Sequence, residues 1–234
     1  MKPNEILSLT KDMRDLHDIE AMGDDHIGTA GETPLRLDAF EIDNELKIEL
    51  IEKHFREIMN VLGLDLTDDS LRGTPKRVAK MYVEEIFSGL DPKNKPAVTL
   101  FENKYRYNQM LVEKDITLYS NCEHHFVPII GKAHVAYISN GHVIGLSKIN
   151  RIVEYYSKRP QVQERLTKQI AQELKLVLQT DDVAVVIDAH HMCVSMRGIK
   201  DQTSSTVTAD YSGKFLDEST RNEFLKYLEL KNGH

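Results

Sequence analysis

The sequence predicts an α+β domain in which two helices lie on one face of an antiparallel four-stranded sheet, and three observations lead there. Apolar residues first recur at helical spacing and then, beyond Pro92 and Pro96, alternate with polar ones as in half-buried strands. From there the order reads strand, strand, helix, helix, strand, strand, the pattern of helices segregated to one side of a sheet. Finally, Asn140-Gly141 stands between two alternating runs, a tight-turn signal because both central residues of such a turn need positive φ.

The elements follow in order. Residues 1–43 are polar, interrupted by Gly23, Gly28, Gly31 and Pro34, and form an arm that is helical at most over about 4–22. Residues 44–95 are a helical region. Ile48, Ile51, Phe55, Ile58, Met59 and Leu62 share one helix face, and Gly63 stands at its stop. Thr74 as N-cap and Pro75 in the first turn open a second helix with Val78, Met81, Tyr82 and Ile86 on one side, closed by Gly89. Val112–Leu118 and Ala133–Tyr137 are strands. Ser147 caps a short helix bearing Ile149, Ile152, Val153 and Tyr156, and Pro160 begins a longer one bearing Val162, Leu166, Ile170, Leu174 and Val177. Val183–Ile187 is a continuous apolar run, hence a central strand. Thr206–Tyr211 alternates again, and Ser219–Leu228 closes the chain with a Thr220/Glu223 capping box.

Bulk composition narrows the function. The 234 residues carry a net charge of −7 with 41% hydrophobic and 29% charged residues, which speaks against a nucleic-acid surface. No run approaches the length of a membrane helix and the start has no apolar signal core, so a cytoplasmic protein is expected, with no membrane partner. In a reducing compartment two cysteines point to metal or catalysis before a disulfide.

Each of those cysteines sits beside two histidines, in Cys122-Glu123-His124-His125 and His190-His191-Met192-Cys193. A thiolate, an imidazole three residues on and a distant second thiolate suit zinc with its fourth position open to water, the catalytic arrangement. A zinc staple between loop and strand is the competing reading. Glu123, His124 and His191 add acid–base groups that a staple does not need. Lys148 and Arg151 stand near a helix start, where backbone N–H groups favour anions, and Arg197 follows Cys193 closely. Lys76, Arg77 and Lys80 read on their own as a solvated face, and Glu164 as a carboxylate steadied by the helix dipole. Gly141 to Lys148 lacks the spacing of a P-loop.

Four long segments go further. Asn121–Phe126, Gly145–Arg151, Arg159–Thr167 and Met192–Gly198, with Gly73–Met81 before them, resemble the GTP cyclohydrolase I family from about Asn44 to the C-terminus. The resemblance implies the tunnelling fold over 96–234, with 44–234 one functional unit and 1–43 a variable arm. It implies a homodecamer of two stacked pentamers with active sites between subunits. It implies one zinc ion per subunit on Cys122, His125 and Cys193. The implied reaction converts GTP to 7,8-dihydroneopterin triphosphate and formate, with His191 as proton donor to the purine and His124, Ser147 and Glu123 as further catalytic groups. Glu164, with Gln163 and the backbone near Leu146, would read guanine. Arg77, Lys80, Lys148, Arg151 and Arg197 would hold the triphosphate. Two other readings compete. One is a related tunnelling-fold enzyme acting on another pterin or purine; the other is a zinc-stapled oligomer that binds without turnover.

Overall fold

The computed structural model describes residues 30–230, in a chain that divides into two compact units, 1–31 and 32–234. The helix expected over 4–22 lies outside the described residues. Of the first unit only Ala30 and Gly31 are described, and every described helix and strand belongs to the second.

Helix α1 (Asn44–Val61) starts where the Asp43 carboxylate accepts the Leu46 N–H at 2.8 Å. It stops at Gly63, whose φ of +79° lets its N–H return to the Asn60 carbonyl. The apolar stripe is there, yet only Met59 is buried on it; Ile58 and Leu62 stay exposed. Helix α2 (Thr74–Lys80) continues as a π-helical turn over Met81–Ile86. Its N-cap is Gly73 and not Thr74, because the Thr74 hydroxyl accepts from the Arg77 guanidinium instead. Gly89 is required for proximity, not to end a helix. A Cβ there would come within 2.0 Å of the Tyr155 carbonyl oxygen.

Strands β1 (Leu100–Glu102), β2 (Met110–Cys122), β3 (Pro128–Ile138) and β4 (His142–Ile144) precede helix α3 (Leu146–Ser157). Then come β5 (Pro160–Gln161), α4 (Gln163–Leu178), β6 (Val183–His191), a single turn α5 (Met192–Ser195), β7 (Thr206–Tyr211) and α6 (Glu218–Glu229). The main sheet has five strands, in the order β5-β2-β3-β6-β7, and β1 pairs with β4 separately. The expected four antiparallel strands are thus joined by a fifth, parallel and two residues long, where Pro160 and Gln161 lie beside Asn121 and Cys122. Pro160 therefore does not start α4. The helix begins at Gln163 because Gln161 is spent in the sheet, its buried amide donating to the Tyr156 carbonyl and the Gln169 side chain.

The Asn140-Gly141 turn forms with positive φ at Gly141 alone, and β4 leaves β3 to pair with β1, so no simple hairpin results. Gly145, not Ser147, caps α3, and Asp217 caps α6 by accepting the Ser219 and Thr220 N–H groups in place of the Thr220/Glu223 box.

Helices α3 and α4 cover one face of the sheet. Ile116, Leu118, Val135, Val185 and Ile187 meet Ile149, Ile152, Leu166, Ile170 and Leu174 in the larger core. The other face is not bare, as a two-helix arrangement would leave it. Phe224 of α6 and Phe215 cover Met110, Ala136, Ala184 and Val186. Alternation in β6 explains both cores, since neighbouring residues point to opposite faces and Val183–Ile187 feeds each in turn. No helix among the described residues is long and apolar enough to cross a membrane.

Candidate metal centre and active site

Strand β2 ends in a loop tied at several points. The Cys122 N–H donates to the Val127 carbonyl at 2.9 Å and the Phe126 N–H to the Cys122 carbonyl at 2.8 Å, with Phe126 at φ +54°. The Glu123 N–H reaches the Gln161 carbonyl at 3.0 Å, docking the loop on β5. Phe126 packs against Phe87 with ring centroids 5.2 Å apart. Cys122 is buried, and its sulfur lies 3.8 Å from His124 Nδ1 and 4.0 Å from His125 Nδ1.

The second arm arrives on β6, which pairs His191 with Ile129 and His190 with Ile130 across β3. The turn α5 then brings in Cys193, half-buried. Ligand atoms of Cys122, His125 and Cys193 all lie within 4.8 Å of one another, a possible metal site. Both cysteines are free thiols. Burial, then the neighbouring Cys122, pushes the Cys193 thiol up from its ordinary value. A cation between the sulfurs would reverse that, because it favours the thiolate. An Arg197 guanidinium nitrogen stands 2.7 Å from His125 Nε2.

The first turn of α4 addresses both arms. Arg165, almost wholly buried, grips Glu123 with two hydrogen bonds of 2.6 and 3.1 Å. Gln163 holds His191: its Oε1 lies 2.7 Å from His191 Nε2. Between them Glu164 is exposed, and its charge raises the affinity of His191 for a proton while burial, the larger influence, lowers it. The sequence pointed to Glu123 as a catalytic group and to Gln163 as a contact of the base. Within this chain the Glu123 carboxylate is engaged by Arg165, with His124 Nε2 3.8 Å from its Oε1. The Gln163 side chain is buried, and within this chain its amide NH2 donates to the Ile187 and Thr206 carbonyls.

The other expected residues are spread along α2 and α3. Leu146, Ser147 and Lys148 form the first turn of α3, the first two exposed. Arg151, one turn on, borders a hollow with Gly89, Asn94, Glu154 and Lys158. Arg77 donates to the Ser70 carbonyl and the Thr74 hydroxyl, and Lys80 is exposed on the same helix. Among the described residues no hydrogen bond or ion pair joins Arg77, Lys80, Lys148 or Arg151 to the cysteine–histidine cluster; Arg197 alone of the five cations touches it. Arg165 and Thr208, which contact Glu123 and Gln163 respectively, and Thr167, which contacts Gln163 and Thr208, are not singled out by sequence patterns.

Comparison with known proteins bears on this arrangement. The sequence model described as GTP cyclohydrolase I matches residues 51–229. A protein of Flavobacterium johnsoniae named GTP cyclohydrolase 1 is 61% identical over 212 residues, 91% of this chain and 95% of that one. One of the same name from Escherichia coli O1:K1 is 57% identical over 202 residues, 86% of this chain and 91% of its own, and one from Citrobacter koseri is 56% identical over the same span. The matched stretch contains both cysteine arms, the first turn of α4 and most of the helical region before them, and the chain belongs to the GTP cyclohydrolase I family.

Proposed function

We propose that this enzyme is a GTP cyclohydrolase that converts GTP and water to 7,8-dihydroneopterin triphosphate and formate, opening pterin and folate biosynthesis. The observation carrying the reading is the convergence of Cys122, His125 and Cys193 within 4.8 Å beside His191 and the exposed Glu164.

The donor set fits zinc. Cys122, His125 and Cys193, two sulfurs and an imidazole nitrogen at that separation, would hold one zinc ion and leave it short of a fourth protein ligand. When bound, zinc would supply a Lewis acid and an acidified water suited to attack on a purine carbon. The chain's own groups do the rest. Glu164 pairs with guanine N1–H and the 2-amino group, and adenine would leave that carboxylate without its donors. Leu146 lends backbone beside the base. His191 delivers a proton to N7 as the C8–N bond system is hydrated and opened, and a second hydration releases C8 as formate. His124 and Ser147 serve the later opening and reclosure of the ribose as proton-exchanging and hydrogen-bonding groups. Glu123 keeps the loop that carries His124 in place. Arg197, Lys148, Arg151, Arg77 and Lys80 receive the triphosphate, some from a neighbouring subunit.

A homodecamer of two stacked five-membered rings, built on the tunnelling fold, fits several features. Strand β7 leaves one edge of the sheet open, with Val207 62% exposed; Tyr119, 57% exposed, stands out on β2. The C-terminal end of α1 leaves Val61 87% and Leu62 70% exposed, an apolar row that the described residues do not cover. Residues 1–43 would form an arm, 44–95 a helical region and 96–234 the catalytic part, in the cytoplasm. The test is direct. Metal-replete protein given GTP should yield dihydropterin absorbance and formate together; neither appearing overturns the function.

A further inference from the structure

We infer that Gln163 is a positioning residue that fixes which nitrogen of His191 faces the substrate, leaving Nδ1 as the working atom. The inference rests on the proposed function, since it takes His191 to be the group that meets the purine.

The orientation of the Gln163 amide can be assigned from its partners. Gln163 Nε2 lies 3.1 Å from the Ile187 carbonyl oxygen and 2.8 Å from the Thr206 carbonyl oxygen. Carbonyls only accept, so this atom must be the NH2 of the amide and the other its oxygen. The Gln163 oxygen is therefore the atom facing His191 Nε2 at 2.7 Å, and an amide oxygen only accepts. It follows that His191 carries a hydrogen on Nε2.

Threonines lock the amide from behind. The Thr167 hydroxyl donates to the Gln163 backbone carbonyl at 2.8 Å, leaving its oxygen to receive the Thr208 hydroxyl at 2.7 Å. With its hydrogen given away, Thr208 Oγ1 presents a lone pair to Gln163 Nε2 at 3.1 Å. A rotation of the amide by half a turn would set oxygen against two carbonyls and leave those acceptors without a donor. The orientation is thus set by β6, β7 and α4 together. Because the Gln163 oxygen accepts whether the ring is neutral or charged, the Nε2 hydrogen stays put and Nδ1 is the nitrogen left for substrate. A partner on one ring nitrogen of a histidine commonly sets the role of the other in this way.

A neutron crystal structure of the wild-type protein without substrate reads the atom directly. Deuterium on His191 Nε2, opposite the Gln163 oxygen, is the expected result; an unprotonated Nε2 overturns the inference, whatever the protein does with GTP. Steady-state turnover of Gln163→Met then separates positioning from binding. The expected outcome is a fall in kcat of about 10–100-fold with KM near the wild-type value. A raised KM with unchanged kcat overturns the inference in favour of direct contact with the base. Absence of turnover in wild-type protein overturns the proposed function instead, and the neutron result still decides the tautomer. Should Gln163→Met not fold, Thr208→Val, which removes the outer lock, is expected to show the same split more weakly, and a KM effect alone overturns the inference there too.

Discussion

The two arms that bring sulfur to the centre are built differently. Cys122 ends a 13-residue strand, is 5% exposed and sits in a loop closed on itself, docked on β5 and clamped by a buried arginine. Cys193 rides on a single helical turn after β6 and is followed by the exposed run from Met196 to Lys200. Most of the contacts that hold that second arm lie behind it: the Gln163 hydrogen bond to His191, and a contact of 3.0 Å between His190 Nδ1 and the Ser204 carbonyl. Polar contacts hold both arms, but the first ends in a buried thiol on a closed loop and the second in a half-buried thiol beside an exposed run. A site made this way has a rigid half and a half that metal and substrate can complete.

The strongest way to break this contrast is to remove each thiol. Cys193→Ala should lose bound zinc and reduce turnover to background while the melting temperature of the metal-free protein stays close to that of metal-free wild type, since the half-buried thiol contributes little packing. Cys122→Ala should lose both as well, and should in addition destabilise the metal-free protein by about 1 kcal/mol through lost burial. Metal content, turnover and thermal unfolding after chelation check this; equal destabilisation by the two changes would remove the asymmetry.

Next in size is Arg165→Met. It deletes a guanidinium whose side chain is 3% exposed and leaves Glu123 facing an apolar neighbour. Breaking a buried pair from one side typically costs about 3–5 kcal/mol, and the partial exposure of Glu123 puts the expectation at the lower end. Metal affinity should also fall about tenfold or more, because the loop that carries Cys122 and His125 loses its clamp. Urea unfolding and metal competition measure the two effects. A variant as stable as wild type would mean that the loop stands without α4.

Much of the fold is legible in the sequence, and the misses have a common cause. Helical and strand periods locate α1, α3, α4, β2, β3 and β7, and a continuous apolar run locates β6, because regular backbone sends side chains to its faces in a fixed rhythm. Residues whose partners come from elsewhere are misread. Arg165, Gln169 and Glu173 recur every four residues along α4 beside the apolar row, and all three are buried. Their partners Glu123, Gln161 and Tyr156 lie outside the helix, so the row looks like a wet flank. Pro160-Gln161 reads as a helix start until β2 is seen beside it. The cap of α6 is displaced by three residues because Asp217 and Thr220 are both good N-caps and only the local backbone decides between them. The carbonyl and hydroxyl acceptors around the Gln163 amide lie on strands more than 20 residues away, so they are equally invisible from its neighbours in α4.

The smallest expected effect concerns the ladder beneath the rigid arm. Strand β2 is irregular between Glu113 and Ile116, where Asp115 has φ +60° and donates its N–H to His134 Nδ1 at 3.1 Å. Burial, chiefly, holds the His134 imidazole below its usual value; Lys132 and Lys114 act in the same direction, and Asp115 and Asp188 against it. The neutral ring is the form that can accept from Asp115, so a proton on Nδ1 would set donor against donor. For a base whose folded value is depressed, stability is complete above the ordinary histidine value of 6.5 and drains away as pH falls from there through the lowered one. His134→Gln keeps an acceptor for the Asp115 N–H and does not titrate. Its melting temperature should therefore decline less than that of wild type between about pH 7 and pH 5, while the carboxylates and the other histidines contribute equally to both curves. Parallel curves would show that acid reaches the fold elsewhere, and that the bulge under Cys122 owes nothing to a neutral imidazole.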